Sequence, residues 1–264
     1  MKERLINTLL PLVTLTLVLV MWDRAVVVWE VPGYLLPRPM DVGLALWNGY
    51  ITEGGYWKHL GTTLYEMVVG YVIGCALALC FGAMVSEWRW LERALMPLVV
   101  AVQSVPKVAL APLLIVWFGF GVSSKVVLVA LICFFPVFIN AFYGFRSAHP
   151  DLLRLYRSFG SSRAHVFRHV KLPSAAGSIF AGFQIAVILA LIGAIVGEFV
   201  SSKQGLGYLI QSSTLSFDVA TMFASVVSLA AIGIVASSLM RYLHTRFVFW
   251  SQREDSGKAV TETA

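Results

Sequence analysis

The stretch RSAHPDLLRLYRSFGSSRAHVFRHVKLP, residues 146–173, divides two long apolar runs at residues 123–145 and 174–200. Six of its residues are basic: Arg146, Arg154, Arg157, Arg163, Arg168 and Lys171. Charge at that density is too costly for a bilayer interior, so the stretch reads as a loop between two membrane-crossing helices. Its own pattern is helical. Pro150-Asp151 is a helix start, with the carboxylate where the helix dipole favours it. Leu152, Leu155, Tyr156 and Phe159 follow at i, i+3, i+4 and i+7 and predict one apolar face. Gly160 suits the left-handed residue after a helix end. Ser161 or Ser162 then caps a second helix that groups Val166, Phe167 and Val170. Leu172-Pro173 is read as the turn back into the membrane. Two short amphipathic helices joined by a glycine fit a knob lying on lipid headgroups and a docking element for a partner equally well.

Outward from this loop the chain is a series of apolar runs. A spanning helix needs about 20 apolar residues. Suitable runs fall at about residues 5–22, 60–85, 94–119, 123–145, 174–200 and 219–240. The first is read as a retained span, because it ends in Met21-Trp22-Asp23-Arg24 with no small-residue cleavage site. Residues 23–59 hold Pro32, Pro37 and Pro39 and read as an external loop with a short surface helix near residues 41–49. The second run spaces Gly61, Gly70, Gly74 and Gly82 for close helix packing. It also holds Glu66, which fits a pathway position or an interhelical partner of a Lys or Arg equally. The third run is broken by Pro97, Pro106 and Pro112 and carries Gln103, Ser104 and Lys107. Pro136 and Asn140 lie in the fourth run; Gln184 and, at its external end, Glu198 lie in the fifth. A short helix is expected after Gly205-Leu206-Gly207, and a charged, frayed tail from Arg241 on.

The composition agrees. Of 264 residues, 58% are hydrophobic and 13% charged, with a mean hydropathy of +0.79. Soluble domains carry about 25% charged residues, so the chain is an all-α membrane protein, read as a single transmembrane domain over residues 1–264. The net charge of +6 needs no nucleic-acid partner once the basic residues are placed. With six spans and the N-terminus inside, residues 1–4, 86–93, 146–173 and those beyond 240 hold fourteen of the 20 Lys and Arg. Arg24, Arg38, Lys58, Lys125 and Lys203 fall outside, and Lys107 falls within a span. That asymmetry puts both termini in the cytoplasm. Cys75, Cys80 and Cys133 all sit in apolar runs, which argues against a disulfide framework. His149, His165, His169 and His244 are expected to be solvated at the cytoplasmic side, at no metal-ligand spacing.

Gly160, nine residues and then Val170-Lys171-Leu172-Pro173 resembles the loop signature of ABC importer permeases. That signature in full is Glu-Ala-Ala, three residues, Gly, nine residues, Ile-x-Leu-Pro. Residues 104–121 (SVPKVALAPLLIVWFGFG), residues 134–140 (FFPVFIN), Gly197-Glu198 and residues 205–209 (GLGYL) are similar to further motifs of one subgroup. That subgroup handles sulfonates, taurine, nitrate, pyrimidine precursors or riboflavin. The similarity covers roughly residues 55–250. Where the family has Glu-Ala-Ala, this chain has Arg154-Leu155-Tyr156, so an acid is replaced by a base and two small residues by large ones. Residues 152–160 look most like permeases for thiamine-pyrimidine precursors and riboflavin.

The resemblance implies a type I importer permease fold with six transmembrane helices, in the bacterial cytoplasmic membrane. It implies a pair of such chains, two ATPase subunits that bind ATP and Mg, and an external substrate-binding protein. ATPase closure would be transmitted through Leu152, Arg154, Leu155, Tyr156, Phe159, Gly160, Phe167 and Pro173. The chain has no Gly-x-x-x-x-Gly-Lys-[Ser/Thr] loop, so no ATP hydrolysis of its own and no cofactor is expected. Polar residues inside spans mark pathways, which nominates Gln103, Ser104, Pro106, Lys107, Asn140 and Gln184; the alternative for the third run is a Lys107 that snorkels outward and a Pro106 that is only a kink. Asn140 and Gln184 also suit hydrogen bonds between helices. Glu198 fits a gate or binding-protein contact, and fits a plain interfacial carboxylate at least as well. A secondary transporter or channel without an ATPase is the rival reading; neither internal repeats nor paired intramembrane acids speak for it.

Overall fold

The computed structural model describes residues 2–250, with side chains from Leu9 onward. The tail beyond Trp250, with Arg253 and Lys258, and the side chains of Lys2 and Arg4 lie outside the described part. Every regular element among the described residues is helical. In order these are α1 (Lys2–Val28), α2 (Pro39–Trp47), α3 (Gly55–Glu87), α4 (Arg89–Gln103), α5 (Ala111–Phe118), α6 (Val122–Arg146), α7 (Pro150–Ser158), α8 (Arg163–Val166), α9 (Leu172–Ser201), α10 (Leu206–Leu215) and α11 (Val219–Phe247). Residues Leu9–Val28, Gly55–Glu87, Val122–Arg146, Arg163–Ser201 and Val219–Phe247 are long and apolar enough to cross a bilayer. The pair Arg89–Gln103 and Lys107–Phe118, bent by 84°, makes six when counted as one span.

Several boundaries differ from the sequence pattern: α3 already begins at Gly55, and α11 runs on to Phe247, through residues 241–247 where a frayed tail is expected. Helix α1 continues past Trp22, and Asp23 on it accepts a hydrogen bond from Arg38 Nε at 3.0 Å. The surface helix near residues 41–49 begins at Pro39 and runs on as a π turn, Asn48–Thr52. The turn expected at Leu172-Pro173 is absent. Helix α8, a π turn at Phe167–Lys171 and α9 run on as one helical stretch. Pro173 falls in the first turn of α9, where a missing N–H is tolerated.

The chain forms two compact units. One comprises the residues up to Thr62 with Lys203–Ala230, the other Thr63–Ser202 with the residues from Ala231 on. In the first, Val42 of α2, Tyr56 of α3 and Ala224 of α11 form a core lined by Trp22, Leu209 and Phe223. In the second, α6 packs along α9, with Ala141, Phe145, Ala175 and Ile179 buried between them. A second patch, Ala111, Leu114, Leu128 and Ile132, joins α5 to α6. Helix α3 approaches α6 through glycine: a Cβ added at Gly74 would lie 2.5 Å from the Ala130 carbonyl oxygen, and one at Gly70 2.5 Å from Val129 Cβ. Gly82 meets Ala141 the same way, but a Cβ at Gly61 would touch nothing within 4 Å. Three of the four spaced glycines therefore serve packing, and Gly61 does not.

Candidate functional site

Three features carry chemistry in the second unit. The first is the α7–α8 knob. The His149 side chain accepts a hydrogen bond from the Asp151 N–H at the start of α7. At the other end Gly160 has φ +72°, with Ser161 N–H donating to Tyr156 O (3.1 Å) and Gly160 N–H to Arg157 O (3.0 Å). This is a Schellman termination with glycine in its left-handed position. Ser162 then caps α8 by accepting from the His165 N–H. The apolar residues of α7 do not share one face. Leu153 and Tyr156 pack against a buried cluster of Ala148, Val166 and Val170. Leu152, Leu155 and Phe159 stand 45%, 50% and 79% exposed. Tyr156 thus leaves the predicted stripe and joins Leu153 on the inner face. Phe167 also turns inward, its ring 5.1 Å from that of Phe145.

Two ion pairs join the ends of the knob to the corner between α3 and α4: Lys171 with Glu87, and Arg146 with Glu92. Arg146 also lies over the Phe142 ring. The knob is thereby tied to α3, α4 and α6. His165 and His169 stack at 4.1 Å. His244 is not a solvated residue; it stacks on Phe180 and bonds to Gln184 at 3.2 Å.

The second feature is the broken third span. Helix α4 stops at Gln103, and the chain resumes as a 3₁₀ turn, Lys107–Leu110, before α5. Pro106 has no N–H to continue the ladder. Lys107 Nζ reaches back to the Gln103 carbonyl at 2.8 Å and lies 4.7 Å from the centre of the Phe135 ring. It therefore ties off the break, since terminal helix carbonyls need a donor. Gln103, Ser104 and Pro106 are exposed on the chain's surface. Asn140 and Gln184 are bonded within the chain, Asn140 to Pro136 O at 2.8 Å and Gln184 to His244.

The third feature lies at the end of the unit opposite α7 and was not assembled by the sequence pattern. Lys125 of α6 is buried and donates to Glu66 Oε1 of α3 at 2.7 Å and to Ser202 Oγ at 2.8 Å. Glu198 of α9 is buried beside them and accepts from Thr63 Oγ1 at 2.6 Å. Of the two readings of Glu66, the structure takes the interhelical partner. Lys125 is not an external loop charge, because its stem runs past Gly197 into the interior. Glu198, expected as a gate or binding-protein contact, is fully buried in this structure. The sequence offers Glu66 a Lys or Arg partner, since a carboxylate inside an apolar helix requires a cation, without naming it; Lys125, which enters its span at the same end, is that partner.

The family model described as "Binding-protein-dependent transport system inner membrane component" matches residues 67–249, which include the α7–α8 knob, the broken span and, of the buried charges, Lys125 and Glu198. The chain belongs to this family. The permease is 37% identical to the riboflavin transport system permease protein RibX of Chloroflexus aurantiacus, over 90% of this chain and 88% of that one. It is 31% identical to the formylaminopyrimidine transport permease protein ThiX of Halalkalibacterium halodurans, over 86% and 93%. Its fold matches a chain of the MetNI methionine ABC transporter in an inward-facing conformation, with a TM-score of 0.60, 19% identity and coverage of 71% and 91%. The permease is thus a multi-pass membrane protein with the ABC importer permease fold, and its work is solute transport.

Proposed function

We propose that two copies of the permease enclose the translocation pathway along their broken third spans, and that α7 docks on a separate ATPase subunit. The observation that carries this is the surface position of Gln103 and Ser104 within a bent, proline-interrupted span. Irregular backbone at membrane depth is tolerated where protein or a water-filled cavity covers it, not against lipid. The exposed stripe of Leu152, Leu155 and Phe159 is the matching face for the ATPase, the helix-in-groove mode of recognition. The asymmetry of basic residues supports a cytoplasmic location for this knob and both termini, in the bacterial cytoplasmic membrane. An external binding protein delivers the solute. The names of the relatives favour a small polar heterocycle of the flavin or pyrimidine kind.

In a cysteine-free background, Ser104→Cys is expected to cross-link two copies in native membranes, whereas Val116→Cys, 80% exposed on α5 beyond the break, is expected to do so less. Absence of any Ser104 cross-link would sink the paired pathway. For coupling, Gly160→Val is the informative change. No atom lies within 4 Å of an added Cβ, so the cost comes from φ alone. A left-handed residue with a Cβ costs about 1–2 kcal/mol, more with β-branching, and is relieved by unwinding the cap. Normal membrane insertion with transport reduced severalfold is expected in vesicles reconstituted with the ATPase and binding protein; unimpaired uptake and ATPase stimulation would refute the role of the knob.

A further inference from the structure

Between the knob and the α3–α4 corner lies a cavity of about 510 Å³, lined by Glu87, Arg89, Glu92, Arg146, Arg157, Arg163 and Lys171 among others. A second cavity of about 450 Å³ shares Arg89, Glu92 and Arg146 and continues past Arg93 to Met96 and Pro97 of α4. The two carboxylates are already used, Glu87 by Lys171 and Glu92 by Arg146. Arg89, Arg93, Arg157 and Arg163 have no carboxylate partner among the described residues. The charge is therefore in excess where three elements meet: α4 supplies Arg89, α7 Arg157 and α8 Arg163.

Depth is fixed by the helices themselves. Glu87 ends α3, Arg146 ends α6 and Lys171 immediately precedes α9, so the groove sits where apolar helices leave the bilayer. Trp88 and Trp90 beside it are 46% and 68% exposed, the placement of an interfacial aromatic belt. One end of the groove is guanidinium-rich and the other runs onto the apolar flank of α4. That polarity matches an amphiphile with an anionic head. Arginine forks pair with phosphate oxygens in a bidentate manner, and basic pockets between helices on the cytoplasmic side suit anionic lipid heads.

We propose that this groove binds a phosphate-bearing anion, the headgroup of an anionic phospholipid, held by Arg89, Arg157 and Arg163. It rests on the cytoplasmic placement of the knob given above. A headgroup there bridges the knob to the α3–α4 corner alongside the two ion pairs, and makes the seating of α7 and α8 dependent on lipid composition.

The test uses the full-length permease in detergent, stripped of lipid, then given phosphatidylglycerol or phosphatidylcholine of identical acyl chains, or inorganic phosphate alone. Native mass spectrometry is expected to show at least tenfold preferential retention of phosphatidylglycerol, with a rise in melting midpoint. Arg89→Gln/Arg157→Gln/Arg163→Gln is expected to lose both effects, and Arg241→Gln/Arg246→Gln, away from the groove, to keep them. Arg157→Gln alone, on an exposed face of α7, is expected to weaken retention severalfold should the triple variant not yield folded protein. Equal retention of the two lipids, or a folded triple variant that retains phosphatidylglycerol like the wild type, overturns the site. A midpoint rise with inorganic phosphate as large as with phosphatidylglycerol upholds the anion site and overturns the lipid as its source. Displacement of the lipid from the wild type by the ATPase subunit would overturn it too, in favour of a protein contact. No transport is measured, so failure here leaves the proposed function standing, and failure of the Ser104 cross-link leaves the lipid result standing.

Discussion

Lys125→Met is expected to destabilise the permease by about 3–5 kcal/mol, because breaking a buried ion pair strands its partner. Methionine keeps the length and most of the apolar stem, which fits the slot beside Gly197. What is lost is the ammonium. Glu66, fully buried, then keeps a carboxylate with no cation, and Ser202 loses the donor at 2.8 Å. Glu66→Gln alone removes the carboxylate that pairs with Lys125 and leaves Glu198 as the one buried acid beside it, so it is expected to cost less than Lys125→Met. The double variant Lys125→Met/Glu66→Gln removes both charges and is expected to regain most of the loss, since replacing a buried pair by neutral residues is often close to neutral. The coupling read from such a cycle belongs to the pair and not to either residue. Thermal unfolding of the four proteins in one detergent checks it. A Lys125→Met melting curve that overlays the wild type would show that the pair contributes nothing to the fold.

The same pair shows where sequence reading reaches its limit. The apolar runs are legible because a bilayer demands about 20 apolar residues whatever surrounds them. The break near Pro106 is legible because a missing N–H is a local fact, and so is Gly160, since a helix must end before the chain can turn. Glu66, Lys125 and Glu198 are each visible as residues out of place in a span. Their meeting depends on the relative depth of α3, α6 and α9, which no single segment encodes. Helix α7 fails for a different reason. In nine residues Leu152, Leu153, Leu155 and Tyr156 offer apolar positions all round, and periodicity cannot choose between the Leu152 and Leu153 sides. The core under the loop, Ala148 with Val166 and Val170, makes the choice. Lys107 was legible as polar and misplaced, but its hydrogen bond back to Gln103 appears only once the break has its geometry.

Glycine spacing raises the same problem and yields the second large effect. Gly61 and Gly74 both lie on α3 in a chain of small residues, and the sequence treats them alike. Gly74→Val is expected to cost more than the about 1–3 kcal/mol typical of overpacking. The new Cβ would sit 2.5 Å from the Ala130 carbonyl oxygen and 2.9 Å from its Cα. These are backbone atoms of α6, so no rotamer change can make room, and α3 must move away from α6 as a body. Moving it also pulls Glu66 from Lys125, because Glu66 lies two turns before Gly74 on the same helix. Gly61→Ala meets nothing within 4 Å and replaces a poor helix former with the best one. It is expected to leave stability unchanged or raise it by up to about 1 kcal/mol. The two variants, measured side by side by thermal melting and by monodispersity on gel filtration, separate packing from propensity. Equal behaviour of Gly61→Ala and Gly74→Ala, the smallest version of the clash, would mean that α3 and α6 are not held at glycine distance.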